Sequence, residues 1–180
     1  MSGEPRRYPP MSFAIDTQRL ILRLRDAEDA AVNLALLREH EGGTSLTLKE
    51  CREHLVKQRA EAEESGLGFL GVRRRAEGDR IGYCGLLVGR GSVDEPEIAY
   101  EILPEARGRG YTTEAARAVM EAAFATGRRT LWATVRGWNG SSFAVLEKLN
   151  FHRHHSVVDD RGELVYLVRY VSDPPPRGST

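Results

Sequence analysis

The stretch Arg107-Gly108-Arg109-Gly110-Tyr111-Thr112-Thr113-Glu114 sets two glycines and two arginines between a strand-like run and a helix-like one. Before it, Glu97-Ile98-Ala99-Tyr100-Glu101-Ile102-Leu103 reads as a strand, closed by Pro104, which removes a backbone donor. After it, Ala115, Ala118, Val119, Ala122 and Ala123 recur at helical spacing up to the capping residue Gly127. Strand, glycine turn and helix start leave several backbone N–H groups around one point. The positive end of the helix and the arginines add to them, so the chemistry favoured there is binding of a phosphate or pyrophosphate. Two glycines at such a turn can also serve only to relieve backbone strain. A P-loop needs Lys followed by Ser or Thr after its second glycine, and Tyr111-Thr112 stands there instead. A dinucleotide fingerprint needs a third glycine in a parallel βαβ unit early in the chain, whereas this strand belongs to a meander.

Other chemistry-bearing residues are sparse. Cys51 and Cys84 are far apart and read as small buried hydrophobes, which makes neither a disulfide framework nor a metal cluster. His152, His154 and His155 cluster, but on alternating faces of an expected strand, so no metal site is assigned. The 26 basic and 26 acidic side chains cancel. No general field attracts nucleic acid, and the basic run Arg73-Arg74-Arg75 reads as a solvated strand end. Arg128-Arg129 suits a helix C-terminus. No apolar segment reaches membrane-spanning length and no hydrophobic signal core opens the chain, so a soluble cytoplasmic protein with no membrane partner is expected.

The elements that would position these residues make one domain over 13–172, with disordered tails at 1–12 and 173–180. Arg19 to Leu24 is the first expected strand. Asp26 caps a helix with Ala30, Leu34 and Leu37 on one face. Thr47-Leu48-Lys49-Glu50 is a capping box opening a second helix with the stripe Leu48, Cys51, Leu55 and Ala62. Leu67–Val72 and Arg80–Val88 form a hairpin, and Gly82 and Gly85 within it imply close passage of another backbone or a ligand. Thr130–Val135 is a strand. Asn139 caps a short helix bearing Phe143, Leu146 and Leu149, and Phe151–Val158 with Leu164–Val171 closes the chain as a hairpin suited to pairing across a two-fold axis. The order βααβββαβαββ is a mixed α/β domain on one sheet.

That order of elements resembles the GCN5-related N-acetyltransferase (GNAT) fold. The family's acyl-CoA loop has Gln or Arg, two residues, Gly, one residue, then Gly or Ala. Arg107, Gly110 and their neighbours match it, and Thr112 departs at the last position. Pro104 to Tyr111, Glu97-Ile98-Ala99-Tyr100, Asn139-Gly140-Ser141-Ser142 and Leu146-Glu147-Lys148-Leu149-Asn150-Phe151 are similar to segments of the ribosomal-protein N-acetyltransferase (Rim-type) branch. Asn150 stands where glycine is usual, and Asn tolerates left-handed backbone angles.

The resemblance implies acetyl-CoA as donor, a primary amine as acceptor and no metal. Main-chain groups near Ile102 and Leu103 would pair with the pantetheine arm between two splayed strands. Arg107 and the N–H groups of Gly108, Arg109, Gly110, Tyr111 and Thr112 would hold the pyrophosphate, Thr113 would add a hydroxyl, and Asn139 would contact the arm or serve only as a cap. Glu97 is favoured over Glu101 as general base; their spacing puts both on one strand face unless a bulge intervenes, and each could instead face solvent or pair with an arginine. Many relatives carry a proton-donating tyrosine where this chain has Leu146, which leaves Ser142, one turn earlier, as the candidate partner of the departing thiolate or as a helix-start serine. The loop from about His40 to Leu46 and the last hairpin would choose the acceptor: a protein N-terminus, or a small-molecule amine such as an amino acid, polyamine or aminoglycoside. A non-catalytic acyl-CoA sensor is the alternative of a different class.

Overall fold

The computed structural model describes residues 8–40 and 42–172. The elements run β1 (Ala14–Asp16), β2 (Leu20–Leu24), α1 (Ala30–Glu39), α2 (Leu48–Ser65), β3 (Phe69–Arg74), β4 (Arg80–Leu87), β5 (Glu97–Ile102), α3 (Tyr111–Ala125), β6 (Thr130–Arg136), α4 (Gly140–Lys148), β7 (His152–Asp159) and β8 (Gly162–Tyr170). One eight-stranded sheet has the order β1-β2-β3-β4-β5-β6-β8-β7. Every neighbouring pair is antiparallel except β5 and β6, which are parallel.

Local chemistry fixes the element ends. Thr47 accepts the Glu50 N–H while Glu50 reaches back to the Thr47 N–H at 2.8 Å, a reciprocal cap that starts α2. Gly66, left-handed at φ 78°, stops it. Asp26 accepts the Glu28 N–H at 2.9 Å, opening a 3-10 turn that runs into α1. On α1, Ala30 and Leu34 are buried as expected, while near its end Leu36 is buried and Leu37 half-buried.

The main core lies between one sheet face and α3. Leu22, Leu70, Val72, Cys84, Leu86, Ile98 and Ile102 pack against Ala115, Ala116, Val119 and Ala123. These small α3 side chains let helix and sheet approach closely. A second cluster, Ala30, Leu34, Cys51 and Leu55, joins α1 to α2 over the opposite face. Both cysteines are free and buried.

Several expectations are corrected. β1 adds a short strand before the first expected one. The expected tails lie partly outside the described residues, at 1–7 and 173–180. Within the described part, Met11 is 2% exposed and its N–H donates to the Gly66 carbonyl at 3.0 Å, so this segment joins the core. Arg128, which follows the end of α3, is buried; its Nε donates to the Val93 carbonyl at 2.9 Å and its guanidinium stacks on Tyr8. Arg74 makes a paired contact with Asp79 across the β3–β4 turn. A bulge between Arg153 and His155 defeats strict alternation in β7, and the His154 and His155 Nδ1 atoms lie 2.8 Å apart. Among the described residues no helix is long and apolar enough to cross a membrane.

Candidate active site

The parallel pair β5–β6 has a single Cα partner pair, Glu97↔Trp132, reinforced by the Trp132 N–H on the Pro96 carbonyl at 3.0 Å. Beyond it the two strands are unpaired through Ile102 and Arg136, and the sheet opens in its middle. Leu103 donates its N–H to Ile81 at 2.8 Å and its carbonyl accepts from Ala106 at 2.9 Å. By the alternation of an antiparallel ladder, the main-chain groups of Ile98, Tyr100 and Ile102 then turn toward the opening. Leu103 turns away from it, toward β4, and the Ile102 carbonyl already accepts Arg107 Nε at 2.8 Å.

The glycine turn sits at the open end. Gly108 and Gly110 have φ of 74° and 80°, the left-handed region that favours glycine, and a Cβ on Gly108 would meet nothing within 4 Å. The first helical bond of α3 runs from the Glu114 N–H to the Gly110 carbonyl at 3.0 Å, so the N–H groups of Tyr111, Thr112 and Thr113 have no acceptor within the helix. Arg107, Gly108, Arg109 and Gly110 are exposed.

This turn is braced from the segment that joins β1 to β2. Glu114 accepts the Thr17 hydroxyl at 2.6 Å, the Arg19 N–H at 2.9 Å and Arg19 Nε at 2.7 Å. Arg19 also donates Nη1 to the Arg109 carbonyl at 2.9 Å and lies over the Tyr111 ring at 4.7 Å. Burial pushes the Glu114 carboxyl up, but the Thr17 hydroxyl and the Arg19 amide and guanidinium outweigh it and hold it below the ordinary range.

Glu97 lies at the closed end of the opening and is 6% exposed. It accepts the Thr134 hydroxyl from β6 and, at 3.4 Å, the Arg90 N–H. Glu101 shares its strand face, since β4–β5 pairing runs without a shift. It is differently occupied: His40 Nε2 lies 2.9 Å from Oε1, and the Tyr83 hydroxyl donates to Oε2 at 3.2 Å. The His40 contact sets the start of the α1–α2 loop against β5. Burial, with Glu101 beside it, pushes the Tyr83 hydroxyl up.

Ser142 and Asn139 come from the other wall. Asn139 Oδ1 accepts the Ser142 N–H at 3.2 Å and the Ser141 hydroxyl at 2.9 Å, capping α4. Tyr100 reaches from β5 to α4, its hydroxyl donating to the Ser142 carbonyl at 3.2 Å. Leu146 is in the core, and Asn150 takes φ 57° after α4. Gly82 and Gly85 are explained by backbone: added Cβ atoms would fall 2.1 Å from the Glu101 carbonyl and 2.3 Å from the Gly68 carbonyl.

The sequence-predicted residues thus form three groups around one opening: Arg107 to Thr113 at its mouth, Glu97 at its vertex, and Asn139 with Ser142 on α4. Sequence reading missed Thr134, Arg90, Tyr83, the contact of His40 with Glu101 and the Arg19–Glu114 brace. Each is an ordinary residue whose relevance depends on a partner in another strand.

The model of the acetyltransferase (GNAT) domain matches residues 19–152. An acetyltransferase from Agrobacterium tumefaciens superposes with a TM-score of 0.70 at 24% identity, covering 93% of this chain and 99% of that one. The ribosomal-protein-S5-alanine acetyltransferase from Vibrio fischeri gives a TM-score of 0.75 at 17% identity, covering 92% and 100%. RimL, a ribosomal L7/L12 α-N-protein acetyltransferase in complex with coenzyme A, gives 0.74 at 15%, covering 88% and 98%. At these identities the likeness to solved structures is one of fold. Comparison with curated proteins returned no match. On the strength of the domain match, the chain belongs to the GNAT acetyltransferase family.

Proposed function

We propose that this protein moves an acetyl group from acetyl-CoA to the amino terminus of a protein or peptide. The observation that carries the reading is the opening between β5 and β6, closed at Glu97↔Trp132 and ending at the main-chain donors before α3. The residues present fit such a donor. The N–H groups of Gly108 to Thr112 form a cradle for a diphosphate, with the Thr113 hydroxyl and Arg107 beside it. Main-chain groups of Ile98, Tyr100 and Ile102 provide a strand edge for an arm carrying amides. Thr112 keeps its N–H in place of the family's glycine or alanine.

Acetyl-CoA supplies an activated thioester. Glu97, oriented by Thr134, accepts the proton that the acceptor ammonium must lose, directly or through water, a service worth roughly 10²–10⁴-fold. Glu101 is the weaker candidate because His40 and Tyr83 already engage it. Ser142 offers a hydroxyl toward the departing sulfur from the α4 wall. The opening holds both reactants in line, and such orientation can contribute roughly 7–11 kcal/mol. Two neighbours named for ribosomal-protein acetylation support a protein amino terminus as the acceptor.

A panel of amines read by free-thiol release tests this. Peptides with free amino termini should give the highest kcat/KM among peptides, polyamines, amino acids and aminoglycosides. A polyamine or aminoglycoside as best substrate would move the assignment to small-molecule acetylation. Tight coenzyme A binding without thiol release on any amine would make the protein a sensor, the reading that Leu146 in the usual tyrosine position keeps in view.

A further inference from the structure

The residue that ends β2 buries a cation among neutral partners. Arg25 is 6% exposed and lies over the rings of Phe69 and Tyr83, at 5.0 and 4.7 Å. Nη1 donates to Asn33 Oδ1 at 2.8 Å and Nη2 to Gln58 Oε1 at 2.7 Å. Both acceptors are neutral, and Nε has no acceptor. The acid that acts on Arg25 through space, Asp29, is committed elsewhere: Oδ1 accepts Arg80 at 2.7 Å and Oδ2 accepts the Asp26 N–H at 3.0 Å. A guanidinium taken out of water without a carboxylate on it is costly, and desolvation pulls its pKa below the ordinary value.

Beside it is a cavity of ≈ 300 Å³ between α2 and the sheet, lined by Arg25, Gln58, Ala62, Phe69, Leu87 and Val88 among others. Its position ties it to the candidate active site. The Arg25 N–H donates to the Phe69 carbonyl at 3.1 Å, Phe69 pairs with Gly85, and Gly85 pairs with Ala99. Leu87, on the cavity wall, pairs with Glu97. Directly paired residues share a sheet face, so Arg25 and the proposed base lie on one face, the row from Arg25 ending at Ala99 two residues along β5 from Glu97.

We propose that Arg25 and this cavity form an anion subsite for the acceptor, taking a carboxylate that lies several bonds from the reactive amine. The inference rests on the acetyl-transfer reading for its orientation, with the amine at Glu97. Three strand spacings of about 4.8 Å put the Arg25 backbone roughly 14 Å from that of β5. The guanidinium lies over Phe69 and Tyr83, whose rows end at Ala99 and Glu101, two and four residues along β5 from Glu97. With one strand spacing left to cross, the span to Glu97 is roughly 8–14 Å. The carboxylate of an α-amino acid sits too close to its own nitrogen to bridge that gap. An acidic side chain in the first residues of a peptide, or an ω-amino acid, can bridge it. The neutral amides of Asn33 and Gln58 hold the guanidinium in place while leaving its charge for the ligand, the arrangement suited to carboxylate recognition.

The test uses matched acceptors: the tripeptide amides Ala-Asp-Ala and Ala-Asn-Ala, and γ-aminobutyrate with its amide. A charge-assisted contact of this kind predicts an acid-over-amide preference in kcat/KM of about tenfold or more for the unmodified protein. The ratio should fall toward one in Arg25→Gln and be partly restored in Arg25→Lys, with thermal unfolding checking that the fold is kept. Preference in the peptide pair assigns the carboxylate to a peptide side chain; preference in the γ-aminobutyrate pair alone assigns it to a small ω-amino acid. Equal rates for acid and amide in the unmodified protein, or a preference that survives Arg25→Gln, would overturn the proposal. Calorimetry with glutarate, against its neutral diamide, reads the subsite without turnover. Heat with glutarate that disappears in Arg25→Gln supports the subsite even if no amine is acetylated, in which case only the transfer reading fails. No heat with glutarate overturns the subsite whatever the turnover.

Discussion

Glu97 shows how much a residue's role depends on what surrounds it. Type and spacing offered Glu97 and Glu101 alike, and the family resemblance favoured Glu97 as the candidate base. Its partners were not legible: Thr134 is 37 positions away in a strand that meets β5 at one register only. Glu97→Gln keeps the shape and removes the proton acceptor. The account expects kcat to fall by roughly 10²–10⁴ with coenzyme A affinity retained, as read by turnover and calorimetry on the same preparation. Unchanged kcat would return the proton transfer to Glu101 or to water. Ser142→Ala should lower kcat by no more than roughly tenfold, because a thiolate leaves readily without help and proximity supplies most of the rate. An unaltered rate would leave Ser142 as part of the Asn139 cap alone.

Among the elements, the turn before α3 was the most legible, because glycine spacing and helix start are both local properties. Its brace was invisible for the opposite reason. Arg19 and Glu114 are separated by 95 positions and look like solvated charges in the sequence. The cap of α2 could be read residue by residue, as could Ala30 and Leu34 on the buried face of α1, where only the last position differs, Leu36 being buried in place of Leu37. Gly110→Val forces a β-branched side chain into φ 80° and against Arg19 Nη2, 3.3 Å from the added Cβ. Coenzyme A affinity should fall at least tenfold in calorimetry. Affinity equal to that of the unmodified protein would exclude this turn as the diphosphate cradle. Thr47→Ala removes a cap remote from the opening. It should cost about 1 kcal/mol in chemical unfolding and leave coenzyme A affinity alone.

For the whole molecule, composition and element order announced a mixed α/β sheet, but not the strand order, in which β8 lies between β6 and β7. The opening between β5 and β6 was expected only from the family resemblance and not from residue patterns, because it is a register relation between strands separated by a helix. Residues 8–12, the described part of the expected N-terminal tail, show a similar limit. Polar and proline-rich composition hid one methionine that the core takes up.

The charges that knit the surface give a pH signature. Arg74 beside Asp79 and Arg136 beside Asp159 hold those carboxyls below the ordinary range, and Glu114 is held there by Thr17 and Arg19 against the opposing effect of burial. Each is a stronger acid folded than unfolded. The stability it lends is therefore complete above a pH of about 4 and is lost as the pH falls through the folded values. The melting temperature should hold steady between about pH 5 and 8 and drop below about 4. A flat acid limb would show that these contacts carry no stability.

The central claim is that the donors before α3 and the opening beneath them together hold coenzyme A. Calorimetric titration of the unmodified protein with coenzyme A tests it most directly. The account predicts saturable one-to-one binding that weakens when pantetheine alone replaces the full molecule. Absence of heat at saturating coenzyme A, together with an unmoved melting temperature, would contradict it.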